Sequence, residues 1–168
     1  MPRFRSFPYT LSLTLLSLIL MIGTGRSLEF KPYGRGDFDQ IAHLREQRAR
    51  IIHYWSVTCP ACIAELGQWA KFINDHPDID IIFINTDDDE DRERAAARLE
   101  KNGLSQATHY GFSDSFVEKL YYEADKNWRG ELPFTVLISA NAPRVSVTGA
   151  LDDPHFVAWL SQVTSIKK

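Results

Sequence analysis

Cysteine is scarce in this sequence. Only Cys59 and Cys62 occur among the 168 residues, which excludes the disulfide framework that holds many small secreted domains together. Such a framework is not needed, because a chain of this length with 44% hydrophobic residues can bury a full core in one domain. The two cysteines therefore call for another explanation.

A basic surface is also lacking. Three of the 19 Lys and Arg residues and none of the 22 Asp and Glu residues lie in residues 1–27, so the remainder has 16 basic and 22 acidic side chains, a net charge of −6. Nucleic-acid-binding domains show a basic patch or stripe, and docking on anionic lipid needs basic clusters. The charge balance argues against both kinds of partner.

A long apolar run without charge occurs at the N-terminus. Residues 6–25 carry no charged side chain and follow Arg3 and Arg5. This pattern predicts a secretory signal peptide over residues 1–27, although twenty uncharged residues also suffice for an uncleaved membrane anchor. Either alternative predicts an exported protein, secreted or anchored to the membrane by residues 6–25, because the positive N-terminus stays inside and the rest is exported.

The rest of the chain alternates between strand and helix patterns. Residues 28–36, which are rich in Pro and Gly, are predicted to be a linker, and residues 37–168 a single domain. The patterns predict strands at 50–55, 79–84, 108–110, 134–138 and 145–147, with helices at 37–44, 60–74, 91–101, 113–121 and 152–163. A turn is predicted at 141–143. This order indicates an α/β fold, with a sheet of about five strands, mostly parallel and flanked by helices, that ends in an antiparallel hairpin.

The segment Cys59-Pro60-Ala61-Cys62 lies between the first strong strand and the helix after it. Two cysteines at this spacing are within disulfide reach, and the free N–H groups and partial positive charge of a helix N-terminus favour a thiolate at the first. Because the thiolate is the nucleophile in disulfide exchange, Cys59 is predicted to attack and Cys62 to resolve the mixed disulfide. Pro60 suits the first helical position, where no N–H is needed.

A cysteine pair can also serve in a metal site or a structural disulfide. A structural zinc site needs two further ligands, and the five histidines are scattered without metal-ligand spacing. A structural disulfide at this spacing closes a very small loop and stabilises little. A copper(I) metallochaperone, using Cys59, Cys62 and His53, is an alternative because soft thiolates suit copper(I).

Three segments carry a family resemblance: residues 52–66 read IHYWSVTCPACIAEL, residues 81–87 read IIFINTD, and residues 130–138 read GELPFTVLI. They resemble the thioredoxin superfamily, and within it the periplasmic branch of TlpA, ResA and CcmG-like thiol–disulfide oxidoreductases. They are similar to the family's CxxC segment with its following Glu, its second strand, and its cis-proline loop. The intervening residues 91–130 fit the helix–strand–helix insertion of that branch.

The resemblance implies a thioredoxin-like fold and dithiol–disulfide exchange with no cofactor. It implies a cis Leu132–Pro133 bond facing the cysteines, where an extended substrate can pair with the Leu132 backbone. It also points to a reductase for cysteines of exported proteins, for example in cytochrome c biogenesis, which receives electrons from a membrane thiol–disulfide carrier. We expect a monomer. Trp128 is a candidate for lining the substrate groove.

Pro60 and His53 are among the positions that depart from the family pattern. Pro60 lies in the first middle position of the CxxC, as in disulfide-forming oxidases, so an oxidase is the alternative direction. His53 occupies a site where the family carries an acid or Asn, and is either a tuning residue for the cysteines or a buried strand histidine. Glu65, one turn after Cys62, either tunes the cysteines or complements the helix dipole. The acidic run 87–91 is interpreted as an acidic helix start.

Overall fold

The computed structural model describes residues 28–43, 48–149 and 151–165. Its strands are β1 Lys31–Tyr33, β2 Arg50–Trp55, β3 Asp80–Asn85, β4 Thr108–Phe112, β5 Phe134–Ser139 and β6 Ala142–Thr148. Its helices are α1 Asp37–His43, α2 Pro60–Asp75, α3 Arg92–Lys101, α4 Val117–Ala124 and α5 Pro154–Ser165, with a 3₁₀ turn at Asp89–Asp91 before α3.

The strands form one mixed sheet in the order β1-β4-β3-β2-β5-β6. The first four strands of that order run parallel to one another, and β5 pairs antiparallel with both β2 and β6. The central strands β2 and β3 are almost entirely buried, as near-continuous apolar strands are when helices cover both faces of a sheet.

Alternate residues of β2 divide the core into two layers. Ile51 and Trp55 face a layer built with residues of α2, α3 and α5, among them Leu66, Trp69 and Trp159. Ile52 and Tyr54 face the other layer, built with α1 and α4 through Phe38, Ile41, Leu120 and Ala124. The period of two along the strand therefore places three helices on one face of the sheet and two on the other.

The predicted α/β order and mixed sheet are confirmed, including the α3–β4–α4 insertion between β3 and β5. The interpretation of residues 28–36 as a linker is wrong in part, because β1 lies within them and pairs with β4 as a sixth strand. Pro32 is compatible with β1 because this strand lies at the sheet edge. The side chain of Tyr33 is buried, and its hydroxyl hydrogen-bonds that of Tyr54 at 2.9 Å.

Two predicted boundaries also shift. The hairpin turn lies at residues 140–141, and Pro143 belongs to the edge strand β6. Helix α4 begins at Val117 instead of residue 113, because the Asp114 carboxylate accepts the Phe116 N–H at 2.9 Å and holds a turn before the helix.

The predicted N-terminal signal or anchor, and the part of the first helix at Leu44, lie outside the described residues. Among the residues that the structure describes, no helix combines the length and apolar character needed to cross a bilayer.

Candidate functional site

The two cysteines lie where β2 leads into α2, beside the centre of the sheet. β2 ends at Trp55, residues 56–59 form a loop, and α2 begins at Pro60. Pro60 occupies the first turn, as predicted. The Cα atoms of Cys59 and Cys62 lie 5.3 Å apart and the pair forms a disulfide, so one helical turn brings both sulfurs to one place.

The environments of the two cysteines differ. Cys59 is the N-cap residue of α2, and its Sγ accepts the backbone N–H of Cys62 at 3.1 Å. Cys59 is partly exposed, whereas Cys62 is fully buried in the core. When the disulfide is reduced, the helix N-terminus stabilises negative charge on the Cys59 sulfur. The accessible sulfur is therefore also the one that the helix activates.

The Leu132–Pro133 peptide bond is cis, which confirms the bond geometry that the family resemblance implied. Phe134 pairs with Tyr54 in the antiparallel ladder, so Pro133 reaches the end of β2 from which the loop to Cys59 departs. Pro133 is buried, whereas Leu132 is half-buried and packs against both core layers. The backbone around the cis bond and the cysteine loop thus share one end of the sheet.

The two tuning candidates, His53 and Glu65, lie next to each other in the core. His53 Nε2 and Glu65 Oε1 are 3.2 Å apart, and their side chains are 0% and 4% exposed. The contact is not a hydrogen bond, and neither carboxylate oxygen has a hydrogen-bond partner among the described residues. The two groups therefore form a close polar pair within a core layer that is mostly apolar.

The orientation of the His53 ring is set by residues that the sequence analysis did not single out. His53 Nδ1 lies 2.9 Å from the Thr135 hydroxyl oxygen. The ring also packs against Trp69 and Phe83, with centroids 4.6 and 5.7 Å away. Thr135 faces His53 because these two residues pair across β2 and β5, a register that no local pattern in the sequence reveals.

Asp87 also belongs to the site, although the sequence analysis placed it in an acidic helix start. Its carboxylate accepts hydrogen bonds from Val57 N–H at 2.8 Å and Ser56 Oγ at 2.5 Å. Asp87 is buried, whereas Asp88, Asp89 and Glu90 are exposed. The helical turn begins only at Asp89, so the acidic run contains a buried loop anchor followed by a helix start.

Trp128 lies in the core instead of on the groove surface. It is 3% exposed, stacks on Phe134 with centroids 4.3 Å apart, and donates its indole N–H to Glu131 O at 2.8 Å. The prediction that Trp128 lines the substrate groove is therefore wrong. Trp128 instead supports the loop before Pro133 from the core side.

The sequence itself has no match among protein-family models or curated proteins. The fold, in contrast, is shared with solved structures. A secreted disulfide oxidoreductase of Mycobacterium tuberculosis, described as homologous to E. coli DsbE, has a TM-score of 0.52 at 16% identity over 71% of this chain and 84% of its own. StoA from Bacillus subtilis has a TM-score of 0.51 at 19% identity over 69% and 84% of the two chains.

The thioredoxin domain of a thiol–disulfide oxidoreductase from Bacteroides vulgatus has a TM-score of 0.54 at 17% identity, over 76% of this chain and 82% of that one. At such identities the likeness concerns the backbone arrangement. The chain has the thioredoxin-like fold, as predicted.

Proposed function

We propose that the protein is a thiol–disulfide oxidoreductase that acts on cysteines of other proteins. The observation that carries the proposal is the asymmetry of the cysteine pair on this fold. Cys59 is accessible and caps α2, whereas Cys62 is buried one turn behind it. The descriptions of the structural neighbours as disulfide oxidoreductases agree with this chemistry.

In the reducing direction, the Cys59 thiolate attacks one sulfur of a substrate disulfide. A Cys59–substrate disulfide forms, and the other substrate sulfur leaves as a thiolate. Cys62 then loses its proton and attacks the Cys59 sulfur, which releases the second substrate thiolate and closes the Cys59–Cys62 disulfide. Two electrons pass from the dithiol to the substrate, and protonation of the two substrate thiolates completes the exchange.

The buried pair of His53 and Glu65 supplies a proton acceptor for Cys62 in this scheme. Cys62 and Glu65 are three residues apart on one buried helix face, and Glu65 is the only carboxylate among the buried residues of α2. His53 lies against Glu65, so a proton received by the carboxylate can be shared with the imidazole. We therefore propose that Glu65 and His53 tune the cysteines together.

Pro133 and Leu132 present backbone to the substrate in this proposal. Because Pro133 has no N–H, it offers no donor to a neighbouring strand, and the Leu132 backbone remains for an extended peptide to pair with. The location of this loop at the same end of the sheet as Cys59 supports the assignment.

For the direction of electron transfer we propose reduction, in an exported protein that a membrane thiol–disulfide carrier recharges. The support is the family resemblance, the pattern of residues 1–27, and the secreted neighbour of the same fold. The position of Pro60 favours oxidation instead. The copper(I) alternative is not favoured by the contacts of His53, since its two ring nitrogens lie against Thr135 and Glu65.

The test is the reduction potential of the Cys59–Cys62 pair in the purified protein, equilibrated in graded thiol buffers and followed by alkylation. A potential near or below roughly −220 mV supports a reductase, and one near about −120 mV supports an oxidase. If the pair does not interconvert between dithiol and disulfide in any of these buffers, the proposal of thiol–disulfide exchange is wrong. Copper(I) bound at one equivalent per protein would then identify a metallochaperone.

A further inference from the structure

Asp87 is a buried carboxylate beneath the loop that carries Cys59. It is 8% exposed. Besides Val57 N–H and Ser56 Oγ, it accepts the Asn85 side-chain N–H at 2.6 Å. These donors replace the water that the carboxylate loses on burial, so the three donors and the acceptor hold one another in place.

The hydroxyl of Ser56 transmits this anchoring along the loop. The single Ser56 proton goes to Asp87, so its oxygen accepts from the Thr58 N–H at 2.9 Å and from the Thr58 hydroxyl at 2.7 Å. The next residue is tied as well, because Cys59 N–H donates to Ser56 O at 3.3 Å. Each residue from 56 to 59 is thus hydrogen-bonded either to Asp87 itself or to Ser56, which is bonded to Asp87.

The far side of Asp87 is anchored in the sheet. Asn85 is fully buried, and its side-chain oxygen accepts from Arg92 at 2.7 Å. Arg92 also donates to Phe112 O at 2.8 Å. A Cβ at Gly111 would lie 2.0 Å from the Arg92 guanidinium, so glycine is what allows Arg92 to pass over β4. The network therefore joins the cysteine loop to β3 and β4.

The position of this loop determines where the Cys59 sulfur lies relative to the N-terminus of α2. Its contact with the Cys62 N–H is 3.1 Å long, hydrogen bonds weaken steeply with distorted geometry, and the effect of a helix dipole is confined to the first turn. A small displacement of the loop therefore removes much of the stabilisation of a thiolate. We propose that Asp87, acting through Ser56, is a positioning residue that holds the Cys59 sulfur on the N-terminus of α2 and so sets its reactivity. This inference rests on the proposed function.

Four variants distinguish the effect of the position of the cysteine loop from the effect of the negative charge on Asp87. Ser56→Ala and Asp87→Ala each break the link between Asp87 and Thr58. Asp87→Asn removes the charge but keeps one oxygen for Val57 and Asn85, and its NH₂ can face Ser56, whose own proton then goes to Thr58. Asp88→Asn is the matched control, because it changes the adjacent acid, which is exposed.

The measurement is the rate at which iodoacetamide alkylates Cys59 in the fully reduced protein, as a function of pH. We expect Ser56→Ala and Asp87→Ala to lower the rate at pH 7 by about threefold or more, with the midpoint of the pH–rate profile moved upwards, since alkylation follows the thiolate fraction. Asp87→Asn and Asp88→Asn are expected to stay within about twofold of the wild type.

Circular dichroism establishes that each variant is folded. If Asp87→Ala does not fold, Ser56→Ala, which keeps every charge, carries the test alone. Folded Ser56→Ala with the wild-type rate and midpoint would overturn the inference, and so would Asp87→Asn if its rate falls as far as that of Asp87→Ala. A different result would contradict the proposed function, namely a wild-type Cys59–Cys62 pair that does not exchange with thiol buffers.

Discussion

His53 and Glu65 are brought within 3.2 Å of each other in the core, between the imidazole Nε2 and one carboxylate oxygen. They come from different elements, since His53 lies in the middle of β2 and Glu65 in the second turn of α2. The helix that carries Cys62 also carries the carboxylate, and the strand that leads to Cys59 carries the imidazole. The elements that position the cysteines therefore also place a buried polar pair behind them.

This pair leads to a kinetic prediction for Glu65→Gln. The amide keeps the shape of the side chain and a polar group beside His53 but cannot accept the Cys62 proton. Loss of a positioned acid–base group typically lowers a rate by 10²-fold or more, and we expect the resolving step to slow by roughly tenfold to a hundredfold. Rapid-quench measurement of mixed-disulfide decay checks this.

The control for Glu65→Gln is Asp75→Asn, a change of an exposed carboxylate at the far end of the same helix. We expect wild-type kinetics there. Decay of the mixed disulfide at the wild-type rate in Glu65→Gln would remove Glu65 from the mechanism.

The asymmetry of the cysteines predicts different outcomes for two serine variants. Cys59→Ser removes the accessible nucleophile and should abolish reduction of a disulfide substrate. Cys62→Ser keeps that nucleophile but cannot resolve the mixed disulfide, so the substrate should remain covalently attached. Non-reducing mass spectrometry of each variant after incubation with a disulfide-bonded protein distinguishes the two, and stable adducts on Cys59→Ser instead would reverse the assigned roles.

Two glycines form a matched pair for a stability prediction. Gly130 has φ of +100°, and a Cβ there would lie 2.9 Å from the Tyr121 ring. Gly130→Ala should lower the free energy of unfolding by about 1–3 kcal/mol, the usual range for backbone strain. Gly67 lies inside α2, where a Cβ would make only an ordinary contact of 3.7 Å with Asn102.

Gly67→Ala should therefore raise the free energy of unfolding by roughly 0.5–1 kcal/mol, because alanine loses less backbone freedom on folding than glycine does. Urea denaturation of both variants measures the two changes. Equal effects of the same sign would show that the conformation at Gly130 does not require glycine.

The burial of His109 leads to a prediction of how the free energy of unfolding depends on pH. Burial lowers the pKa of His109 below its ordinary value, and the hydrogen bond from Nε2 to Leu104 O at 2.8 Å offsets this only in part. Its ring packs against Phe30 and Phe83, and Nδ1 has no hydrogen-bond partner among the described residues. Folding therefore favours the neutral imidazole of His109 over the protonated one, relative to the unfolded chain.

Because the folded-state pKa lies below the unfolded value, the unfolded chain binds more protons as the pH falls. The contribution of His109 to stability is fully present above the ordinary pKa of 6.5 and decreases as the pH falls from there through the lower folded-state pKa. Urea unfolding at a series of pH values checks this. His109→Gln should flatten the dependence below pH 6.5, whereas His155→Gln, at an exposed position, should leave it unchanged.

Much of the architecture was accessible from local patterns. The β-branched and aromatic runs at β2 and β3 and the apolar spacing in α2 identified those elements nearly to their ends, because buried strands and one-sided helices repeat their apolar residues every two or 3.6 positions. β1 was missed because three residues that include Pro32 are too short to show a period. Its existence depends on pairing with β4, which lies more than seventy residues further along the chain.

The sequence by itself determined the alternation of strands and helices and the proximity of Cys59 to Cys62, since three residues at a helix start span a single turn. The tertiary structure decided which side chains surround that pair. His53 meets Thr135 through the β2–β5 register, and Ser56 meets Asp87 across 31 positions of sequence. Local patterns reflect the conformation of a few neighbouring residues, whereas these contacts exist only once the strands have taken their order in the sheet and the two core layers have closed over them.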